Sequence, residues 1–281
     1  MRLDKHLGGE NKTATLSDIL EKGKESEVAV NVSKNVSKIL PYLIDAIVSS
    51  SESIYDVSTF YYQVYAALSD QGYKNKLDMD TIQEIINNSM TQIIGSCKDV
   101  LFFRGQNADS IRGIVASVLI NLSKDKKIEL KDASNFDHLG SFLEKGKTLI
   151  IHGGVGPYAG YRSHKGSTII SENADDYYGS EAEGRFIAKH AGEYLGYEAK
   201  HACKIYVISA DRFAASYSDA SFYLFSAKPY VGAGSAYDCT INVVNCHKMR
   251  NTDAGKSKIK IISEKNLKDT FRKVGLFLEN K

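Results

Sequence analysis

The sequence predicts an α+β protein: an N-terminal α-helical bundle, then a parallel β-helix of about 18 residues per turn, then a C-terminal capping helix. Apolar residues recur at helical spacing in the first half, and at eighteen-residue intervals in the second. A last amphipathic segment, over 267–278, follows the repeats and is expected to cover an end or a flank of the β-helix. The predicted divisions are a flexible N-terminus over 1–14, a helical domain over 15–125, the β-helix over 126–262, and a helix with a basic tail over 263–281.

Three stretches of the first half have the i, i+3, i+4, i+7 spacing of one helical face. Their apolar residues are Val57, Phe60, Tyr61, Val64, Tyr65 and Leu68; Ile82, Ile85, Ile86, Met90, Ile93 and Ile94; and Ile111, Ile114, Val115, Val118, Leu119 and Leu122. Asp80 and Gln83 resemble a capping box at the start of the second stretch. An earlier helix over 27–49 is expected to bend or divide at Pro41, because proline lacks a backbone donor. Core packing is the predicted role of these helices.

The second half repeats an apolar strand residue at a fixed interval. The predicted core ladder consists of Leu149, Ile169, Ile187, Ile205, Tyr223 and Ile241. Eighteen residues at about 3.3 Å each span about 60 Å, enough for a turn with three short strands and three corners. A two-helix repeat would need more than about thirty residues. The pattern extends forward to Ile259 and back to a weaker turn near Ile128, whose aromatic position is assigned to Phe136.

Each repeat also carries an aromatic residue followed two positions later by glycine. This predicted corner comprises Tyr158, Gly160, Tyr177, Gly179, Tyr194, Gly196, Phe213, Tyr230 and Gly232. The aromatic intervals alternate between nineteen and seventeen residues. Glycine suits a sharp corner because it enters positive φ cheaply, so Ala215 at one such position predicts a reshaped corner. A predicted alanine column consists of Ala174, Ala191, Ala210 and Ala227.

The segments "AGEYLG" (191–196) and "GSEAEGRFI" (179–187) resemble the glycine-rich β-helix domain at the C-terminus of the glutamate synthase large subunit. The same domain type occurs in the β-helical subunit of formylmethanofuran dehydrogenase, and the resemblance covers about residues 146–246. It departs from the family where a Gly-Gly pair is replaced by Glu183-Gly184 and by His201-Ala202. The resemblance implies a right-handed parallel β-helix that serves as a spacer and docking surface in a larger enzyme assembly, without catalytic residues.

The bulk composition narrows the possible partners. The net charge of +2 is low for a nucleic-acid-binding protein, and no apolar run is long enough to cross a membrane. Four cysteines without a CxxC pair, and an N-terminus without a signal pattern, favour a cytoplasmic location. Residues 248–281 hold ten Lys or Arg against four Asp or Glu, which suits a solvated tail or an acidic partner. No cofactor or metal is predicted.

Two functions are compatible with these patterns. The first is a non-catalytic scaffold or protein-interaction subunit, with a protein partner or as a homo-oligomer, for example within a redox or amidotransfer complex. The alternative is a carbohydrate- or ligand-acting enzyme that uses an acidic edge. That edge consists of Asp175, Asp176, Glu193 and Asp211. The segment "HGGVGPYAG" (152–160) resembles a phosphate loop, but its Tyr158 and Gly160 already belong to the repeat.

Overall fold

The computed structural model describes residues 33–50, 56–97, 108–131, 133, 136–212, 214–227, 239–246 and 258–274. The helices are α1 (Lys34–Ser49), α2 (Val57–Asp70), α3 (Met79–Glu84), α4 (Met90–Ser96), α5 (Ala108–Leu122) and α6 (Glu264–Lys273), with a π-helical turn at Ile85–Ser89. The strands are β1 (Lys127–Lys131), β2 (Thr148–Val155), β3 (Thr168–Ala174), β4 (Arg185–Ala191), β5 (Lys204–Ala210), β6 (Ser221–Ala227), β7 (Thr240–Cys246) and β8 (Lys258–Ile261). The predicted flexible segment 1–14 lies outside the described residues.

The helices begin at short polar side chains, which accept hydrogen bonds from the free backbone N–H groups of the first turn. Asp78 caps α3 by accepting from the Thr81 N–H at 2.9 Å, so the predicted capping box of Asp80 and Gln83 is wrong. Gln83 instead bonds both backbone groups of Lys131 on the edge strand β1. Pro41 lies within α1 and does not divide it.

The second half is a parallel β-solenoid. All eight strands form one sheet in sequence order, so successive turns each contribute one strand. The prediction of three strands per turn is wrong for the described residues, because the return path of each turn consists of turns and bends. These return paths still bond to one another between turns, as the Gly179 N–H does to the Ala159 carbonyl at 3.0 Å.

The strand register corrects the predicted core ladder. The innermost column contains Leu149, Ile169, Phe186, Ile205, Phe222 and Ile241, all fully buried. Ile187 and Tyr223 instead belong to the next column, on the outer face of the sheet, with Ile170 and Tyr206. The interval is seventeen residues from Ile169 to Phe186 and nineteen from there to Ile205. The turns are therefore unequal in length, from seventeen residues to the twenty-one between Ile128 and Leu149, and do not repeat at a fixed eighteen.

Other columns agree with the sequence. Ala174, Ala191, Ala210 and Ala227 pair in register, which confirms the alanine column. Ile259 pairs with Ile241, and Ile128 pairs with Leu149, so the ladder extends in both directions as predicted. Like positions stack because each turn repeats the backbone path of its neighbour.

Helix α6 lies on the outer face of the sheet rather than over an end. Its buried Leu267 and Phe271 pack with Ile187 and Tyr206 in a separate apolar cluster. The rings of Tyr206 and Tyr223 stack under it, with centroids 4.7 Å apart. The predicted capping helix thus covers a flank of the solenoid, and it explains why the outer sheet face is apolar.

The N-terminal helices cover the first turn of the solenoid. Gly113 allows α5 to approach closely, since a Cβ there would lie 1.6 Å from the Asp137 carbonyl oxygen. The Ser117 hydroxyl accepts from the Gly140 N–H at 2.8 Å, and the Asn121 side chain accepts from the Glu144 N–H at 3.0 Å. Within the solenoid, the backbone of the preceding turn forms such hydrogen bonds; at the first turn the side chains of Ser117 and Asn121 form them instead. Helices and solenoid share one continuous apolar core.

Candidate functional site

The corner opposite the strands is a tightly wound backbone segment with positive φ at alternate residues. In one turn Tyr158, Gly160 and Arg162 have φ of 58°, 76° and 52°. The same conformation recurs in the next two turns, at Tyr177, Gly179 and Glu181 and at Tyr194, Gly196 and Glu198. Side chains near this corner are therefore held on a rigid backbone, which suits a preformed binding site.

Ala215 keeps the corner conformation that glycine has elsewhere. Its φ is 64°, and its N–H donates to the Leu195 carbonyl at 2.9 Å, as Gly196 does to Tyr178. The predicted reshaping at Ala215 is therefore wrong: the bond between turns holds alanine in a conformation that it rarely adopts alone. The predicted corner residues Phe213, Tyr230 and Gly232 lie outside the described residues.

The corner aromatics form one stack of rings. His138, Tyr158, Tyr177 and Tyr194 follow one another with centroid distances of 4.9, 4.5 and 4.8 Å and interplanar angles of 10°, 7° and 7°. The spacing equals that of parallel strands, so the turns impose it. His138 holds the place that the sequence pattern assigned to Phe136. The pattern missed it because histidine was not counted as an aromatic ring.

A second column lies beside this stack, one residue after each glycine. Tyr161, Ser180 and Tyr197 occupy consecutive turns, because the Arg162 N–H donates to the Ser180 carbonyl and the Glu181 N–H to the Tyr197 carbonyl. The Tyr161 ring meets His138 at 81°, and the Tyr197 ring meets Tyr177 at 77°. The small Ser180 side chain leaves space between the two tyrosines.

That space opens into a cavity of about 670 Å³, here called the tyrosine groove. Its lining consists of Asp56, Val57, His138, Tyr158, Tyr161, Tyr177, Ser180, Glu181 and Tyr197. The start of α2 supplies Asp56 and Val57, and the solenoid corner supplies the rest. Periodicity could predict part of the corner wall, but not the helix wall, which comes from a distant part of the chain.

Arg162 joins the two walls. Its Nε donates to the Glu181 carboxylate at 2.7 Å, and one terminal nitrogen donates to the Ser58 hydroxyl at 2.9 Å. The guanidinium carbon also lies 5.0 Å from the centre of the Tyr161 ring, within cation–π range. Asp56 caps α2 by accepting from the Ser58 N–H, and the Thr59 hydroxyl helps to lower the pKa of this carboxyl.

His138 and Tyr161 each keep one protonation state near neutral pH. Burial lowers the pKa of His138 to about 4, so its imidazole is neutral, and its Nδ1 has no hydrogen-bond partner among the described residues. Burial, together with the charge of Glu181, raises the pKa of Tyr161 to about 12. The Tyr161 phenol therefore keeps its proton.

The acidic edge predicted from the sequence does not line this groove. The Asp176 carboxylate accepts from the Glu193 N–H at 2.6 Å, and the Asp175 carboxylate accepts from the Asp176 N–H at 2.9 Å. Glu193 accepts from Arg212 at 2.8 Å. Burial raises the pKa of Asp176, and the charges of Asp175, Glu193 and Asp211 act in the same direction. The four carboxylates are thus near one another, as predicted, and each interacts with the protein itself.

Two further motifs have structural roles. The segment 152–160 continues from β2 into the first tyrosine corner, and its residues Gly154 and Val155 pair with β3. Cys203 and Cys239 are buried free thiols whose pKa is raised by burial.

In the described part of the chain, His, Cys, Asp and Glu do not cluster as a metal site would require. The helices described there are too short or too polar to cross a membrane.

Comparisons with protein-family models, with curated proteins and with solved structures found no match to this chain. The resemblance to the glutamate synthase domain therefore stays a prediction. The tyrosine groove is defined by the geometry of this chain alone.

Proposed function

We propose that this protein is a non-catalytic scaffold that binds a protein partner in the tyrosine groove. The observation that carries the proposal is the groove itself, in which Tyr158, Tyr161, Tyr177 and Tyr197 line one cavity between α2 and the solenoid. Tyrosine is enriched in protein interfaces because it combines a large apolar surface with a hydroxyl donor. The finer expectations from the resemblance, a right-handed coil and a cytoplasmic redox or amidotransfer assembly, remain part of this proposal.

The rigidity of the groove supports binding. Three residues in each corner have positive φ, and the ring stack is fixed by bonds between turns, so little side-chain freedom remains to be lost. The cavity volume lies within the range of about 300–1,000 Å³ that is typical of ligand sites. A preformed site of this kind supports recognition of a partner.

The carbohydrate-acting alternative has less support. Glycoside hydrolysis needs two carboxyl groups that face a substrate across a cleft. Here the Asp176 carboxylate holds the backbone of Glu193, and the Glu193 carboxylate is paired with Arg212. These bonds fix the acidic edge to the protein.

A photo-crosslinking residue placed at Tyr197 tests the proposal in native extract. We expect it to capture a discrete protein, whereas the same residue at Tyr42, 45% exposed on α1, does not capture it. The captured protein is then identified and purified. We expect Tyr197→Ala to weaken its binding by about tenfold or more, and Tyr42→Ala to leave it unchanged.

The same purified partner separates the two functions. The combined variant Asp175→Asn, Asp176→Asn and Glu193→Gln should bind it as the wild type does, because these residues lie outside the groove. Equal affinity of the wild type and Tyr197→Ala would refute the scaffold proposal. So would a glycosidase activity of the purified protein that the combined variant loses.

A further inference from the structure

We propose that the occupant of the tyrosine groove is a proline-rich segment in the polyproline II conformation, with a basic residue beside the prolines. This inference rests on the proposed function and specifies its partner. Grooves lined by aromatic side chains are a recurrent means of binding such segments, whose extended helix is already formed before binding.

The spacing of the second tyrosine column fits this conformation. Tyr161 and Tyr197 lie two turns apart, with Ser180 between them, so their backbones are separated by about 9.6 Å. One turn of polyproline II takes three residues and rises about 9.3 Å. Prolines three positions apart would therefore reach Tyr161 and Tyr197 together, with the Arg162 guanidinium beside the first of them. The residues between them would lie over the space that Ser180 leaves.

The hydrogen-bonding groups also match. Polyproline II makes no internal hydrogen bonds, so its carbonyl groups stay free to accept. Proline has no N–H, and a proline-rich ligand thus presents acceptors without donors. Tyr161 and Tyr197 hydrogen-bond to Glu181 and Glu198, and Tyr177 hydrogen-bonds to Tyr158, so the Tyr158 hydroxyl is the groove phenol that can donate to such a carbonyl. This pairing suits an extended peptide better than a helix, whose carbonyls are already bonded.

The charge of the groove selects the flanking residue. The ionised side chains in its lining are Asp56 and Glu181. Arg162 pairs with Glu181 through two nitrogen atoms within 2.7 Å and so balances one of these charges. Asp56 accepts hydrogen bonds from Ser58 and Thr59 and also interacts with Arg162, so two carboxylates share one guanidinium. The excess negative charge on the α2 side attracts a lysine or arginine of the ligand. Complementary charges of this kind contribute mainly to specificity and orientation.

A sugar chain fits the same groove less well. Sugars pack their C–H groups against open aromatic faces, but the faces of Tyr158 and Tyr177 are covered within the stack. Arg162 lies over the Tyr161 ring. The groove therefore offers ring edges and hydroxyls more than flat faces, and these suit a ridged peptide.

Fluorescence anisotropy with the full chain tests the proposal. The probe is a labelled peptide of about eight prolines followed by two arginines, long enough for more than two turns of polyproline II. We expect saturable binding. A glycine-serine peptide with the same two arginines should bind more weakly by about tenfold or more, because it lacks the preformed conformation. Replacing the arginines by glutamates should also weaken binding.

A substitution that fills the space in the column gives the sharpest test. Ser180→Tyr places a third tyrosine between Tyr161 and Tyr197, in a column that already holds this residue type. We expect it to reduce binding of the proline probe by about tenfold or more, and to leave the thermal midpoint close to that of the wild type. Tyr42→Ala, at a tyrosine 45% exposed and outside the groove lining, is the control and should bind normally.

Three results would overturn the inference. They are equal binding of the glycine-serine peptide, normal binding by a folded Ser180→Tyr variant, and displacement of the probe by an oligosaccharide that binds more tightly. If the proline probe does not bind but the photo-crosslinking residue at position 197 still captures a partner, the proline-rich ligand is rejected and the scaffold proposal is retained. If the probe does not bind and no partner is captured, the scaffold proposal is rejected as well.

Discussion

The same place in successive turns holds different residues, and the neighbouring columns adjust to them. Tyr178 is fully buried where the adjoining turns have Ala159 and Leu195. Its hydroxyl lies 3.3 Å from the carbonyl oxygens of Ile169 and Ile187, so the buried phenol is hydrogen-bonded. Ser171 and Ala188, on the facing strands, are small enough to make room for it. Volume is thus conserved across the interior, as dense packing requires.

At the residue scale, the buried His138 predicts how the free energy of unfolding changes at acidic pH. Its pKa is lowered by burial from an ordinary value of 6.5 to about 4 in the folded protein. Above pH 6.5 both states carry a neutral ring. Between pH 6.5 and 4 the unfolded chain binds the proton and the folded protein does not, so stability falls as the pH falls. The loss attributable to His138 is up to about 3 kcal/mol.

The variant His138→Phe isolates this effect, because it keeps a ring in the stack and removes the titration. Chemical unfolding at a series of pH values should show a smaller loss of stability between pH 6.5 and 4 than in the wild type. Contributions from Asp137 and the other carboxylates are common to both proteins and cancel in the difference. His164→Phe, at an exposed imidazole, is the matched control. Parallel pH profiles for wild type and His138→Phe would contradict the prediction.

At the scale of elements, α5 acts as a substitute for a missing turn. Asn121 donates to the Phe142 carbonyl at 3.1 Å and to the Tyr61 hydroxyl at 2.6 Å, and it accepts from the Glu144 N–H. A helix can satisfy the open end of a solenoid in this way only if polar side chains occur at the right spacing on its inner face. Ser117 and Asn121, four residues apart, meet this condition.

Asn121→Ala tests the capping role. It removes these bonds and leaves buried backbone groups without partners, so we expect a loss of about 2–4 kcal/mol in the free energy of unfolding. The amide of Glu144 should also exchange with solvent faster than in the wild type. Asn88→Ala, at an exposed position between α3 and α4, should cost less than about 1 kcal/mol. Equal costs for the two variants would show that Asn121 has no special role.

The elements also explain which features the sequence could predict. The recurring interval identified the solenoid, but it could not choose between Phe186 and Ile187 as the inward residue, because both are apolar. The outer residue is apolar since α6 covers it, which removes the alternation that normally marks the inner face. Of the solenoid wall of the groove, the corner repeat predicted Tyr158 and Tyr177 and missed Tyr161 and Tyr197. The wall from Asp56 and Val57 was not predictable, because it depends on a contact between distant segments.

At the scale of the whole molecule, the apolar core shared by the helices and the solenoid determines how cooperatively the protein unfolds. Solenoids are stabilised mainly by contacts between neighbouring turns, so their parts can unfold separately. Here the buried residues of the helices and of the turns form one continuous cluster, and Arg162 adds a bond from the corner to Ser58 on α2. We therefore expect the helices and the described solenoid turns to unfold together rather than in sequence.

Single tryptophan probes can measure this, since the chain contains no tryptophan. Tyr62→Trp reports on α2 and Tyr217→Trp on the corner, both at positions about half exposed and hence tolerant of change. The two fluorescence midpoints in denaturant should coincide. Val207→Ala removes fully buried methyl groups from β5. Added to each tryptophan variant, it should lower both midpoints equally, although the Tyr62→Trp probe lies on α2 and not on β5. A midpoint at Tyr62→Trp that is unaffected by Val207→Ala would mean that the helical domain folds independently of the turns that it covers.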